Sequence, residues 1–372
     1  MSKKRGIFIV SYEVSYQLLR LPNPTEVGLN LNAIQKEVVD MKLAKIAVGI
    51  TIVAVVFLVA GPAMAIELKM GHYAPESHPA HQAAMMMAKG VEDRTNGEVK
   101  IKIYPANQLG DGNEVLEQQM NGVVDLSLPT QPMLDKYGKK GNKPFAVVML
   151  PFVYKDTQHA WRVLDGPFAE WIAPKFDALG LVHLANWEWG FRNLTNNKRP
   201  VFSPADVKGL KIRTPGEIQL QKTMEAAGAQ VQAINFKELP MALKQGVVDG
   251  QENPLSVIYH YKLYEVQPHL ALTYHVYNSM MAVASKKTWS KLSADQQAIL
   301  MEEAQKAGQW FRDNQLAEND NLIQKLKGKG MKVTSPDRAA FKAQMQYAYD
   351  AIGEYAGKDN VAKFLKMVEE TP

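Results

Sequence analysis

The sequence of 372 residues contains no cysteine. This absence excludes disulfide bonds, thiol catalysis and a lipid-modified N-terminal cysteine. The Walker phosphate-binding loop, the G-x-G-x-x-G dinucleotide pattern, the G-x-S-x-G nucleophile turn and the H-E-x-x-H zinc motif are also missing from the sequence. The acidic residues are scattered, with no spacing typical of a glycosidase. We therefore expect no catalytic residue and no cofactor.

Long apolar runs are rare as well, apart from one near the start of the chain. Residues 46–60 are apolar or glycine except for Thr51, with Lys42 and Lys45 close by and Ala63-Met64-Ala65 following. A short basic region, an apolar run and a small-x-small cleavage site are typical of a secretory signal peptide. A transmembrane anchor is the alternative, but the run is shorter than the roughly 20 residues that a span needs.

The expected signal peptide, residues 41–65, begins forty residues into the sequence. Residues 1–40 show no usable structural or targeting pattern, and we interpret them as a mis-annotated extension that precedes a start at Met41. Residues 1–65 contain seven of the 43 lysines and arginines and four of the 38 acidic residues, so the remainder has a net charge of about +2. Such a small charge gives no electrostatic support to nucleic-acid binding. Export to the periplasm fits the signal peptide best.

After residue 65, strand patterns and helix patterns alternate. Apolar and polar residues alternate at 66–74 and 99–105, as they do in strands, and a helical pattern lies between these segments. The second half repeats the order, with strand patterns at 210–215 and 230–234 on either side of another helical pattern. This alternation is typical of α/β layers with a mainly parallel sheet.

The repeated order predicts two similarly built lobes. Gly-Val-Val-Asp occurs at 122–125 and again at 246–249, each time between a helix pattern and a proline-ended loop. A helical pattern that begins after Ser293 runs toward Leu322 and is long enough to span both lobes. We expect lobe I to comprise residues 66–189 and 279–318, and lobe II to comprise residues 190–278 and 319–372.

Arg213 is the first candidate binding residue. It stands near the end of the strand pattern at 210–215, directly before a turn with Pro215. Side chains at the carboxyl ends of parallel strands face the crevice where α/β proteins bind ligands. A guanidinium group matches a carboxylate with two parallel hydrogen bonds. The alternative is a solvated surface arginine, and the sequence leaves the two readings about even.

The segment 185–197 is the second candidate. Trp187 and Trp189 share one face of an extended chain, so they either form an apolar wall over a ligand or pack in the core. Arg192 follows and offers a second cation. Asn253, in the polar loop expected at 250–254, either points into a cleft or caps its loop.

Three histidines near the start of the expected lobe I raise the question of a metal site. His78 and His81 are one helical turn apart, and His72 stands at the end of a strand pattern. A catalytic zinc site needs three well-placed ligands, and no accompanying motif supports one here. We expect no metal, and a periplasmic metal-dependent hydrolase remains only an alternative.

Several motifs together resemble the solute-binding proteins of tripartite ATP-independent periplasmic (TRAP) transporters, the DctP family. They include HYAPESHPAH, YPANQLGDGNEVLEQQMNGVVDLSL, LPFVY, GFRNLTNNKRPVFSPADVKGLKIRTPGE, FKELPMAL and VVDGQENPLSVIY. The most specific pair is KGLKIRTP followed by VDGQENP. The resemblance covers nearly all of the expected mature chain, about residues 70–355.

The resemblance implies the two-lobe, type II-like fold of periplasmic binding proteins, with a ligand cleft between the lobes. It also implies delivery of a small organic acid to a sodium-coupled TRAP membrane permease. In the family, the arginine matched by Arg213 grips the substrate carboxylate, the one matched by Arg192 often assists, and the asparagine matched by Asn253 lines the pocket. More variable contacts are expected from the first lobe, around Tyr73, Asp111, Thr130 and Gln131.

The two tryptophans, Trp187 and Trp189, would favour a small acid with an apolar or planar part. A second alternative stays open beside transport, namely a periplasmic sensor that presents its ligand to a receptor. A neighbouring gene for a multi-span permease would favour transport, and zinc analysis of the purified protein would test for a metalloenzyme.

Overall fold

The computed structural model describes residues 36, 38–42 and 65–372. Nearly all of the expected extension, 1–40, and of the expected signal peptide, 41–65, therefore lies outside the described residues. Among the residues that are described, no helix combines the length and the apolar character that crossing a membrane requires. The compact unit Ala65–Pro372 is the part of the protein discussed below.

This unit has the α/β fold that the alternating patterns predict. Its strands form one ten-stranded sheet. The strands are β1 (Ile66–Gly71), β2 (Val99–Tyr104), β3 (Leu126–Ser127), β4 (Leu181–Asn196), β5 (Lys211–Thr214), β6 (Gln230–Ala233), β7 (Gly250–Pro254), β8 (His269–Ala271), β9 (Tyr277–Ser285) and β10 (Lys332–Thr334).

Helices connect and cover these strands. They are α1 (Pro79–Arg94), α2 (Gly112–Met120), α3 (Thr157–Asp165), α4 (Pro167–Ala178), α5 (Pro204–Val207), α6 (Ile218–Ala226), α7 (Leu239–Lys244), α8 (Leu255–His260), α9 (Lys286–Trp289), α10 (Ala294–Gly328), α11 (Arg338–Ala343), α12 (Gln346–Ala356) and α13 (Lys358–Glu370). Short 3-10 helices lie at Gln131–Tyr137, Pro144–Met149, Phe236–Glu238 and Leu263–Glu265.

The long strand β4 joins two parts of the sheet. Its first part pairs with β9, and its second part pairs with β7 and β8, all antiparallel. The parallel pairs lie on either side: β1 pairs with β2 and β3, and β5 pairs with β6 and β7. The sheet is therefore mixed rather than mainly parallel, because β4 and β9 run against their neighbours.

Capping residues fix where several helices begin. Asp111 and Glu114 form a reciprocal capping box at the start of α2, and Ser293 does the same with Gln296 at the start of α10. The N-cap of α1 is His78, whose Nδ1 accepts a hydrogen bond from the backbone N–H of Ala80. The helix starts at Pro79, since proline lacks the N–H that a first helical turn leaves unpaired.

Helix α10 is 35 residues long and contacts elements from both expected lobes. It packs against α1 and β4, and also against α8 and β10. Leu300 in its first part belongs to the same apolar cluster as β1, whereas Leu326 near its end packs with Leu243 and Leu270. The expectation of a long helix spanning two lobes agrees with these contacts.

The lobe boundaries themselves stay a prediction. The C-terminal helix α13 falls in the expected lobe II, but it packs against α4, which falls in the expected lobe I. Phe364 of α13 stacks edge-on against Phe168 of α4, with ring centroids 5.6 Å apart. The last helices of the chain therefore pack against elements of both expected lobes.

Candidate ligand-binding site

A cavity of about 440 Å³ lies where the middle strands of the sheet meet the loops that follow β1, β2, β5 and β6. This volume is in the range of about 300–1,000 Å³ that small-molecule sites occupy. Seven of the nine expected binding residues line it. They are Tyr73, Asp111, Thr130, Trp189, Arg192, Arg213 and Asn253.

Arg213 is fully buried, and part of its guanidinium group has no partner. Its Nε donates to the backbone carbonyl of Ile234 at 2.8 Å, and the group lies 5.5 Å from the ring centre of Phe236. Neither Nη1 nor Nη2 hydrogen-bonds to any group in the part of the chain that the structure describes. Burial lowers the pKa of Arg213 to about 10, against the attraction of Glu252, so the side chain stays cationic at neutral pH. Two donors of one cation are thus available to an anion.

Arg192 differs because a carboxylate already neutralises it. Its Nε donates to Oε2 of Glu252 at 2.5 Å, and its Nη2 donates to Oε1 at 2.9 Å and to the carbonyl of Glu252 at 2.8 Å. The same Nη2 reaches Oδ1 of Asn253 at 3.1 Å. Both partners of the ion pair are buried. Antiparallel pairing of β4 with β7 brings these side chains together.

A histidine holds the carboxylate of this ion pair from the other side. Nε2 of His275 lies 3.1 Å from Oε2 of Glu252, and its Nδ1 lies 2.7 Å from the hydroxyl of Thr273. Burial lowers the pKa of His275, so the neutral ring donates to Glu252 and accepts from Thr273. Burial alone would raise the pKa of Glu252, but Arg192 and His275 lower it below its ordinary value. Glu252 is therefore a fixed anion that orients Arg192.

Several polar residues of the cavity were not expected from the sequence, among them Glu217 and Asn278. Glu217 precedes α6, and its Oε2 is buried with no hydrogen-bond partner among the described residues. Burial raises the pKa of Glu217, while the cations of Arg192 and Arg213 oppose that rise. Asn278 of β9 also lines the cavity, with its Oδ1 buried and likewise unpartnered. Glu217 directly follows the Pro-Gly turn after Arg213, and this position in the sequence could have predicted that its side chain lies near the same cavity.

Aromatic rings form an apolar wall. The rings of Tyr73 and Trp189 meet edge to face, with centroids 5.2 Å apart. The hydroxyl of Tyr261 donates to the backbone carbonyl of Tyr73 at 2.6 Å and holds that loop in place. A ligand with a C–H face can pack against such a wall while its polar groups face the charged side.

Asp111 and Asn235 connect the loop before α2 to the loop after β6. Nδ2 of Asn235 donates to Oδ2 of Asp111 at 2.8 Å. The other oxygen of Asp111 accepts from the backbone N–H groups of Asn113 and Glu114. These contacts use three of the roughly four acceptor positions of the carboxylate and hold Asp111 at the border of the cavity.

The structure does not bring Trp187 or Gln131 to the cavity. The indole of Trp187 is buried in the core and donates to the carbonyl of Ala304 in α10 at 2.9 Å. Gln131 is buried and accepts from the hydroxyl of Ser279 at 2.9 Å. The segment expected as the polar loop 250–254 is strand β7, because it pairs with both β4 and β5.

Two of the three histidines considered for a metal site, His72 and His81, contact each other, and His78 has a separate role. His72 Nε2 lies 3.2 Å from His81 Nδ1, and His78 caps α1. Burial lowers the pKa of His72 to about 3, so this ring is neutral. In the described ranges, no group of three or more His, Asp or Glu side chains is placed to hold a metal ion.

Several known proteins are similar to this chain in sequence and in fold. The model of the bacterial extracellular solute-binding proteins, family 7 (DctP), matches residues 70–355. The chain is 34% identical to the sialic acid-binding periplasmic protein SiaP of Vibrio cholerae over 303 residues, which is 81% of this chain and 92% of that protein. It is 31% identical to the C4-dicarboxylate-binding periplasmic protein DctP of Rhodobacter capsulatus over 319 residues, 85% of this chain and 95% of that one.

A solved structure shows the same architecture. The crystal structure of a TRAP periplasmic solute-binding protein from Polaromonas, bound to D-erythronate, is similar with a TM-score of 0.75 and 32% identity. That match covers 81% of this chain and 98% of the other chain. The three similar proteins bind different acids.

Proposed function

Because the chain belongs to family 7 of the bacterial extracellular solute-binding proteins, we propose that it captures a small organic acid in the periplasm and delivers it to the membrane permease of a sodium-coupled TRAP transporter. The family consists of binding proteins rather than enzymes. The observation that carries the proposal is the buried guanidinium group of Arg213, which faces the cavity with two unpartnered donors.

A carboxylate supplies what Arg213 lacks. Two oxygens of a carboxylate accept from Nη1 and Nη2 in the parallel geometry that a guanidinium prefers. A buried donor without a partner costs about 1–3 kcal/mol, and more when it is charged, so the pairing removes a penalty as well as adding an attraction. The cavity excludes most solvent from Arg213, and an ion pair there is screened little by salt.

The neighbouring residues restrict how the acid sits. Asn253 accepts from Arg192 through its Oδ1 and donates through its Nδ2 to Gln251 at 2.5 Å, so its amide is held at the wall of the cavity. Tyr73 and Trp189 contact the apolar part of the ligand. The hydrogen bond between Asp111 and Asn235 already joins the two loops at the border of the cavity, and we expect a bound ligand to favour this joined form, which the permease would recognise.

Calorimetry and thermal unfolding with a panel of carboxylates test this function. We expect at least one carboxylate to bind while its uncharged amide does not. A ligand at 100 times its Kd adds about 2.7 kcal/mol to the free energy of unfolding, which gives a clear rise in Tm. The bound acid should be recovered chemically unchanged after long incubation. Equal binding of acid and amide, or conversion of the acid, would contradict the proposal.

A further inference from the structure

Two ionic groups of opposite sign stand unpartnered in the same cavity. Arg213 presents Nη1 and Nη2, and Glu217 presents Oε2, each without a hydrogen-bond partner among the residues described. Both residues line the cavity, as do Pro215 and Gly216 of the turn between them. The chain thus places a free cation and a free carboxylate four positions apart, next to one ligand space.

The fold leaves Oε2 of Glu217 without a hydrogen bond, although the nearby cations of Arg192 and Arg213 attract the carboxylate. The residue occupies the N-cap position of α6, yet its side chain caps no N–H group of the helix. It also makes no ion pair within the described part of the chain, whereas Glu225, two turns later on α6, pairs with Lys222 at 2.7 Å. A buried carboxylate oxygen without a donor is costly unless something in the cavity supplies one.

We propose that Glu217 is a specificity-determining residue that accepts hydrogen bonds from ligand hydroxyl groups, so that the site selects hydroxylated monocarboxylates. This inference rests on the proposed function, because it assumes that Arg213 holds the ligand's carboxylate. A hydroxyl is a donor and meets the need of Oε2. A second carboxylate on the ligand has no donor to offer and repels Glu217.

The rest of the cavity fits a ligand with several hydroxyl groups. Asn278 presents an unpartnered buried Oδ1, which is a second acceptor for a hydroxyl. The apolar wall of Tyr73 and Trp189 suits the C–H face of a polyhydroxylated carbon chain. The acceptors match the hydroxyl groups of such a ligand, and the apolar wall matches its C–H face.

A dicarboxylate would need a second cation in the cavity to pair with its second carboxylate. Lys143 is a candidate, but its ammonium group already donates hydrogen bonds to the protein. Nζ of Lys143 donates to the backbone carbonyl of Asp135 at 2.7 Å and to the hydroxyl of Tyr355 at 3.2 Å. The same ammonium group lies 4.5 Å from the ring centre of Tyr355. Lys143 therefore supports the wall of the cavity with two of its three donors. Lys136 also lines the cavity, but its side chain is exposed, so among the described residues of the cavity Arg213 is the buried cation with unpartnered donors.

Three four-carbon acids separate the possibilities in calorimetry at pH 8: D-erythronate with hydroxyl groups, butyrate without them, and succinate with a second carboxylate. The proteins are the wild type, Glu217→Gln, and the control Glu225→Gln on the same helix. For the wild type, we expect D-erythronate to bind at least 10-fold more tightly than butyrate or succinate. In Glu217→Gln, D-erythronate should lose at least 10-fold in affinity, succinate should gain, and butyrate should stay unchanged.

Thermal unfolding without ligand checks that Glu217→Gln folds, and Glu225→Gln should leave all three affinities at the wild-type values. Succinate binding more tightly than D-erythronate to the wild type would overturn the inference. So would an equal loss for all three acids in Glu217→Gln. In both cases carboxylates still bind, so the proposed function stands. If none of the acids, nor six-carbon galactonate, hexanoate and adipate, binds to the wild type, the proposed function fails together with the inference.

Discussion

Arg192 and Glu252 face each other from the paired strands β4 and β7 and share two side-chain hydrogen bonds, of 2.5 and 2.9 Å. No comparable carboxylate contacts Arg213 within the described residues. The two arginines of the cavity therefore have different roles. Arg192 is half of a hydrogen-bonded ion pair, whereas Arg213, which Glu252 and Glu217 attract without a hydrogen bond, keeps two unpartnered donors. We therefore expect the ligand's carboxylate to bind at Arg213 rather than at Arg192.

Replacing Arg213 with lysine keeps the charge but removes the planar fork. We expect Arg213→Lys to weaken binding of the cognate acid by about 1.5–3 kcal/mol, the contribution of a charge-assisted hydrogen bond. Calorimetry measures the change. Lys211→Ala is the matched control, because Lys211 lies on the same strand with its side chain exposed. Unchanged affinity in Arg213→Lys, or an equal loss in the control, would contradict the role of Arg213.

Removing the charge of Glu252 leaves Arg192 buried without a counter-ion. We expect Glu252→Gln to lower the free energy of unfolding by about 3–5 kcal/mol, as is typical when one partner of a buried ion pair is lost. Urea unfolding monitored by fluorescence gives the value. The control Glu265→Gln changes an exposed carboxylate in the 3-10 helix Leu263–Glu265 and should be nearly neutral. A midpoint equal to that of the wild type would show that solvent already compensates Arg192.

Much of this fold is predictable from local patterns. Strand alternation placed β1 and β2, and the Ser293 motif located the start of α10, because both signals depend on residues close in sequence. The position of Arg213 before a proline turn indicated a cleft-facing side chain for the same reason. The start of α1 is less predictable, because its N-cap is His78 although the commoner cap residue, serine, stands next to it at Ser77.

What the sequence left undecided depends on pairing between distant segments. Of Trp187 and Trp189, only Trp189 reaches the cavity, whereas Trp187 donates to Ala304 of α10 in the core. The register of β4 against β9 also shifts between Glu188 and Gly190. The neutralisation of Arg192 requires β7 beside β4, some 60 residues away. No local pattern contains that information.

The bond between Asp111 and Asn235 joins the two loops that border the cavity. We expect Asn235→Ala to weaken ligand binding by about 0.5–1.5 kcal/mol, the net contribution of one hydrogen bond, with the free energy of unfolding nearly unchanged. Calorimetry and urea unfolding measure the two quantities. Glu114→Gln is a useful comparison, because Glu114 caps the same loop without reaching Asn235. The assignment fails if Asn235→Ala binds the ligand as the wild type does.

A buried carboxyl group beside the site gives the protein a pH-dependent stability. Glu188 accepts hydrogen bonds from the indole of Trp161 at 2.5 Å and the hydroxyl of Tyr277 at 2.8 Å. Burial nevertheless raises its pKa from 4.5 to about 7, against those bonds and the nearby cation of Arg312. The folded protein therefore holds this proton more tightly than the unfolded chain does.

The sign of the effect follows from proton linkage. Stability contributed by protonated Glu188 is fully present below about pH 4.5, and it is lost as the pH rises through about 7. A shift of this size corresponds to about 3 kcal/mol between those limits. Glu188→Gln stays uncharged, so its free energy of unfolding should decline less than that of the wild type between pH 5 and pH 8.

Urea unfolding at several pH values provides the comparison, with Glu170→Gln, an exposed position on α4, as the control. The difference between wild type and Glu188→Gln cancels the contributions of other titrating groups, such as the buried histidines, since both proteins share them. The free energy of unfolding of Glu188→Gln should rise relative to that of the wild type as the pH rises, because only the wild type must ionise a carboxyl group in the core. Parallel pH profiles for the two proteins would mean that Glu188 ionises at its ordinary pKa, with Trp161 and Tyr277 donating to a carboxylate that burial does not perturb.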